Sequence, residues 1–235
     1  MNLDNPGSIA HKPPYVLFFA MLTIGMGQTV IYAVMPALGR ELQLDQVIVP
    51  LPMVGIDWQP GKLAITSLSA MTALVFALVA PFWGRLSDRV GRRQVILIGL
   101  IGYTVGTFVF NSVAELAMRG IISGVLLWAL LLLARIIHAM VMSATFPAAS
   151  AYMIDITDIR TRAGGLGKMS AANQMGVLLG PVMAATVAFG YLTPLYIQSV
   201  LTLTAAVLVY YFLRDSRPQS ALDKAKQKVV SGGRK

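Results

Sequence analysis

The 235-residue chain contains no cysteine, which excludes disulfides and thiolate metal sites. It has only two histidines, His11 and His138, no His-Glu-x-x-His pattern, and no pair of carboxylates within its apolar runs. Zinc-protease chemistry and paired-carboxylate acid–base catalysis therefore lack their residues, and an enzyme is not expected. Charge is scarce as well: 12% of residues are charged, against about a quarter in soluble domains. No ring of charge or filter-like loop marks a channel. The charge that remains is lopsided, with 19 lysines and arginines against 10 acids and a net charge of +9. Nucleic acid is not the expected partner, because the cations lie between apolar segments rather than on one polar face. Anionic membrane lipid is the better counter-charge.

What is abundant is long apolar sequence, 56% of the chain. Crossing a bilayer takes roughly 20 residues of helix. Six such runs are present: Tyr15–Leu38, Leu63–Trp83, Gln94–Ser112, Leu126–Met153, Ser170–Gly190 and Leu195–Leu213. Continuous runs of this length predict helices, because membrane strands alternate over about ten residues and these segments do not. The first run is too long for the apolar part of a signal peptide, and no small-residue cleavage site follows it. The expected fold class is an all-α membrane protein: residues 15–213 form a six-helix transmembrane bundle, preceded by a short N-terminus (1–14) and followed by a basic tail (214–235). Within that tail, "LDKAKQKVV" reads either as a short amphipathic helix on the membrane surface or as a solvated basic segment. The long connection from Gly39 to Lys62, with Pro50, Pro52 and Pro60, predicts irregular structure. No sequence repeat is visible, although six helices leave room for an inverted three-plus-three pair.

Lysine and arginine set the expected orientation. With a cytoplasmic N-terminus, fifteen cations fall on the inner side and three (Arg40, Lys62, Arg119) on the outer side. Arg135 alone is left inside a span. Both termini are thus expected in the cytoplasm of a multi-pass protein of the cell (inner) membrane. Trp58 and Trp128 at the outer interface, and Trp83, Tyr210 and Tyr211 at the inner one, fit that layout.

Between the second and third runs stands "GRLSDRVGRR", a short charged loop in an otherwise apolar region. Gly84 allows the end of the second helix to come close to a neighbour, and Gly91 allows a tight turn. Asp88 precedes the third helix, where its positive dipole end favours an anion. Arg89, Arg92 and Arg93 are placed to pair with Asp88 or with lipid phosphate. An arginine on an inner loop also simply enforces topology.

The spacing Gly84-x-Leu86-x-Asp88-Arg89-x-Gly91-Arg92-Arg93 resembles the signature loop of the major facilitator superfamily, at that family's position between helices two and three. "LLLARIIHAM" resembles the family's intramembrane arginine motif, carried on Arg135. "GVLLGPVMAA" resembles the Gly-Pro motif of its drug/proton antiporters, carried on Gly176, Gly180 and Pro181. "DIRTRAGGLG" resembles its basic loop between helices four and five. The chain departs from the pattern at His138 and Ala139, where Gln and Gly are usual, and at Ala184 and Ala185, where a Gly pair is usual. The family's fold also has twelve helices in two halves, whereas six are seen here. The resemblance implies the N-terminal half of a transporter with no resident cofactor, whose charged loop acts as a conformational latch.

Within the spans, Arg135 reads either as a cavity-facing cation that binds substrate or influences a proton site, or as a side chain snorkelling to the surface. His138, three residues on, shares its face and reads as a carrier of a coupling proton or as a hydrogen-bonded packing residue. Gln28 and Tyr32 share a face of the first helix with Gly25; they line a cavity or bond between helices. In the resemblance, the first and fourth helices line the central cavity. Asn173, placed with Gln28, Tyr32, Arg135 and His138 in the candidate cavity, also forms one small-residue stripe with Gly176, Gly180 and Ala184 that lets two backbones approach. Pro181 cannot donate to the carbonyl of Val177, which predicts a bend on that seam. Gly102 and Gly106 read as packing.

Two functional readings follow. The first is a secondary active transporter of small, drug-like molecules, an efflux protein open to proton coupling and working by alternating access. The second is a half-transporter that needs a second six-helix half or homodimerisation, or is an inactive remnant.

Overall fold

The apolar runs become six helical spans, each long and apolar enough to cross a membrane. The computed structural model describes residues 15–51 and 56–213; the N-terminal segment 1–14 and the basic tail 214–235 lie outside the described residues. The helices are α1 (Tyr15–Glu41), α2 (Lys62–Val90), α3 (Arg92–Met118), α4 (Gly124–Met142), α5 (Thr145–Ile156), α6 (Arg162–Ala184) and α7 (Thr193–Phe212). Most outrun the apolar segments that seeded them, because the polar flanks contain no proline except Pro194, which stands in the first turn of α7 where it is tolerated. The charged stretch after Trp83 is an instance. Its charge and glycines predict a loop, yet α2 continues through it to Val90, leaving Gly91 as the whole connection to α3. Asp88 therefore sits in the last turn of α2 rather than in a loop ahead of α3.

The fourth span corrects the sequence reading in another way. It is broken into α4 and α5 at Ser143 and Ala144. Pro147 supplies the reason: it has no N–H for the carbonyl of Ser143, so the chain cannot run on as regular helix. The amide of Ala144 bonds to Val141 instead, one residue short of the helical partner, Met140. The released carbonyl of Met140 accepts from Trp83 Nε1 of α2 at 2.6 Å and from Ser143 Oγ at 2.9 Å. The carbonyl of Met140, left without its helical donor at the break, is thus paired again through a neighbouring helix.

The connection between α1 and α2 is more ordered than its prolines predict. A 3₁₀ turn (Leu44–Gln46) leads into two antiparallel strands, β1 (Val49–Leu51) and β2 (Ile56–Trp58), with Val49 opposite Trp58. A two-stranded ribbon is all edge, which is where a strand accepts a proline such as Pro50.

α1 lies at the centre. It packs most extensively on α6, and also on α7, while α3 packs on α4, α7 and α5, and α2 leans on α4. The buried apolar side chains form two layers. One runs through Leu17, Met21, Ile96, Leu100, Tyr152 and Val209, toward the end of the bundle that carries the arginine cluster, called here the basic end. The other runs through Val34, Leu38, Leu44, Phe110, Leu127 and Leu195, toward the opposite end. Between them, on α3, α4 and α7, lie the buried polar side chains of Thr107, Arg135, His138, Gln198 and Thr202.

Candidate functional site

Three places bring chemistry-bearing residues together, and the first is the basic end. Gly91 takes φ 121° and ψ 139°, a left-handed backbone that glycine accepts most readily, and this turns α2 sharply into α3. The turn delivers Arg92 to three partners at once. Its guanidinium pairs with Asp88 at 2.5 Å and with Asp155 of α5 at 3.1 Å, and donates to Ser87 Oγ at 2.6 Å. Ser87 is buried and donates in turn to the carbonyl of Gly84 at 2.7 Å. Asp88 stands at the C-terminal end of α2, where the helix dipole disfavours an anion; the half-buried Arg92 offsets that. Arg93 turns the other way, donates to the carbonyl of Tyr210 in the last turn of α7, and stacks over that ring at 5.3 Å. Arg89 is exposed in the last turn of α2. Gly84 does not make the close approach expected of it within this bundle: a Cβ placed there would meet only Pro147, at an ordinary 3.8 Å.

The second place is the seam between α1 and α6. Added Cβ atoms on Gly25, Gly176 and Gly180 would each overlap backbone or side-chain oxygen of the facing helix: the carbonyl of Asn173, the carbonyl of Leu22, and Thr29 Oγ1. Asn173 donates through Nδ2 to the carbonyl of Met21 at 3.1 Å, so its side chain belongs to the seam. α6 stays helical through Pro181 to Ala184 and then tightens into a 3₁₀ turn (Ala185–Phe189). The carbonyl that Pro181 deprives of a donor, that of Val177, accepts from Thr29 Oγ1 of α1 at 2.9 Å. Thr29→Val, which keeps the shape and removes the hydroxyl, should cost about 1 kcal/mol. Reversible unfolding in mixed micelles reads that loss; no change would mean the carbonyl is satisfied elsewhere.

The third place is the polar layer at mid-depth. Arg135 is 5% exposed and His138 2% exposed, both facing α3. The imidazole packs edge-on to Tyr103 with ring centroids 4.7 Å apart, and an added Cβ on Gly106 would lie 2.7 Å from its Nδ1. The guanidinium carbon of Arg135 lies 5.9 Å from the centroid of Phe110. Among the described residues, neither Arg135 Nε nor His138 Nδ1 has a hydrogen-bond partner. His138 is thus enclosed between α3 and α4 and does not face an opening. Gln28 is half-buried and Tyr32 is 43% exposed on α1, so these two mark an open face. On α7, Gln198 reaches across to the carbonyl of Thr23 at 2.7 Å and to Thr202 Oγ1 at 3.0 Å.

Several of these residues escape sequence reasoning. Asp155 is 63 positions from Arg92, and nothing local marks it as a partner. Trp83 carries only the signal of an interfacial aromatic, and Thr29 that of a polar residue one position after Gln28. Tyr103 had a faint signal, being a tyrosine in the middle of an apolar run.

The family model described as the Major Facilitator Superfamily matches residues 17–234. Multidrug resistance protein 1 of Bacillus subtilis is 29% identical over 85% of this chain, which covers 43% of that protein. Quinolone resistance protein NorA of Staphylococcus aureus is 26% identical over 88% of this chain, covering 46% of that protein. Among solved structures, the human organic anion transporter MFSD10 (TETRAN) superposes on 88% of this chain and 49% of its own, with a TM-score of 0.64 and 22% identity, a likeness of fold alone. The chain thus spans less than half the length of each of these proteins.

Proposed function

Because this chain belongs to the major facilitator superfamily, a family of membrane transporters rather than enzymes, we propose that it is one six-helix half of a secondary active transporter of small molecules. The names of its relatives favour drug-like substrates moved outward. The excess of lysine and arginine supports a cytoplasmic basic end, with both termini on that side.

The observation that carries this reading is the Arg92 network. It ties the α2–α3 joint to α5 through Asp88, Ser87 and Asp155. On this reading the network, with Arg89 and Arg93 beside it, is a latch that holds the cytoplasmic end in one arrangement and releases it in the other, as rocking of two bundles requires. Gln28, Tyr32 and Arg135 belong to the substrate cavity, and the α1–α6 seam with Gly176, Gly180 and Pro181 is where helices shift. Any coupling to a proton gradient falls to His138, the imidazole enclosed in a span.

Asp88→Asn removes one of three partners of Arg92. Transport should fall about tenfold, the worth of one charge-assisted bond, with membrane insertion unchanged. Equal substrate flux in membrane vesicles of the two forms would remove the latch.

A second reading, a half that does not transport alone, rests on the unequal burial of the helices. The apolar stretch of α1 is 56% buried, that of the span from Arg162 to Phe189 (α6 and the 3₁₀ turn after it) only 11%. α6 and α2 present wide apolar faces that a second six-helix bundle or a second copy of this chain would cover. The same flux assay separates these readings. Activity of the purified chain in proteoliposomes requires self-association; activity confined to native membranes requires a separate second half.

A further inference from the structure

Arg135 is a buried cation without an anion. Among the described residues no carboxylate lies within ion-pair distance of it, and its Nε has no acceptor. Its electrostatic neighbours are Tyr103 and Tyr32, and the nearest ring is that of Phe110. The acids of the described helices stand at their ends: Glu41 on α1, Asp88 on α2, Glu115 on α3 and Asp155 on α5. The polar layer at mid-depth therefore carries an arginine, a histidine and no compensating charge. An uncompensated guanidinium is among the costliest things to hold inside a membrane protein, and a leucine or glutamine would pack there at far less cost. Tyr32, exposed on the open face of α1, is among the groups that act on it electrostatically.

Resting on the transporter reading, we infer that Arg135 is the anchor of a subsite for the carboxylate of an amphipathic organic substrate, entered from the face of Gln28 and Tyr32. A carboxylate matches the planar fork of a guanidinium with two parallel hydrogen bonds. A cationic or neutral substrate of the same shape leaves the arginine uncompensated and gains nothing from it.

The experiment compares three matched probes, 1-naphthoate, 1-naphthylmethylammonium and 1-naphthalenemethanol, on the whole chain purified in lipid nanodiscs. Naphthoate should raise the melting temperature saturably, by about 5 °C at a hundredfold excess over Kd; the other two should not. Arg135→Gln should melt no lower than the parent without ligand, because it removes an unpaired charge, and should lose the naphthoate response. Arg85→Gln, which removes an exposed guanidinium near the basic end, should keep it. If Arg135→Gln does not accumulate in membranes, Arg135→Lys serves in its place, with naphthoate bound about tenfold more weakly for want of the fork. Equal shifts with all three probes, a response that survives Arg135→Gln, or unchanged affinity in Arg135→Lys would each overturn the subsite. Flux of the same probes into native-membrane vesicles keeps the two ideas apart. Binding of naphthoate without flux of any probe sinks the transporter reading and leaves the subsite; flux without preference for the carboxylate sinks the subsite alone.

Discussion

Replacing Gly176 by alanine should destabilise the protein by about 3 kcal/mol, while the same change at Gly167, nine residues earlier on the same helix, should stabilise it by about 0.5 kcal/mol. The two substitutions are chemically identical, so helix propensity favours both. They differ in what the new methyl group meets. At Gly176 it overlaps the carbonyl oxygen of Leu22 and lies 2.7 Å from the nitrogen of Met26, both backbone atoms of α1 that cannot rotate away. At Gly167 it meets nothing within 4 Å. α1 would have to withdraw from α6 along the seam that holds most of its packing, taking with it the bonds from Thr29 to Val177 and from Asn173 to Met21. Reversible unfolding of the two variants in mixed micelles measures the difference. Shifts of equal sign would mean that the two backbones are not in contact in the membrane.

On the proposed latch reading, Arg92→Gln should cut transport by about 30-fold, more than any other single change in the charged cluster. The guanidinium serves Asp88, Asp155 and Ser87 together. Its removal leaves two carboxylates near one another with no shared cation, and a buried hydroxyl without its donor. Because the arginine is only partly enclosed, a loss of about 2 kcal/mol is appropriate rather than the larger cost of a fully buried pair, and 2 kcal/mol displaces a two-state balance about 30-fold. Lysine in its place should recover part of the loss, since one ammonium cannot reach three partners with the geometry of a fork. Initial rates in membrane vesicles, normalised to the amount of inserted protein, provide the test. A variant that transports like the parent would mean that the cluster only sets topology.

Much of this architecture could be read from composition and spacing, for physical reasons. A bilayer demands about 20 apolar residues per crossing and punishes charge, so six spans stand out in a chain with 12% charged residues. Glycine spacing revealed the seam because a missing side chain is itself a packing instruction. Other features were hidden because they depend on helices distant in sequence. Nothing around Asp155 signals that it closes the Arg92 network, and nothing around Thr29 signals that it serves a carbonyl 148 positions away. The break before Pro147 was visible in principle, but the surrounding run is apolar enough to read as one continuous span. The extension of α2 through Asp88 is obscured by the opposite effect, since a charged stretch between apolar runs reads as a loop although only Gly91 interrupts the helices.

The interruption at Ser143 and Ala144 gives the fourth crossing two rods instead of one. The upper rod carries Arg135 and the lower carries Asp155, and Trp83 pins the joint between them. On the transporter reading proposed above, a rigid column would transmit every displacement of the Arg92 network straight to Arg135. An articulated one absorbs part of it at the joint, so the basic end can swing while the proposed subsite shifts little.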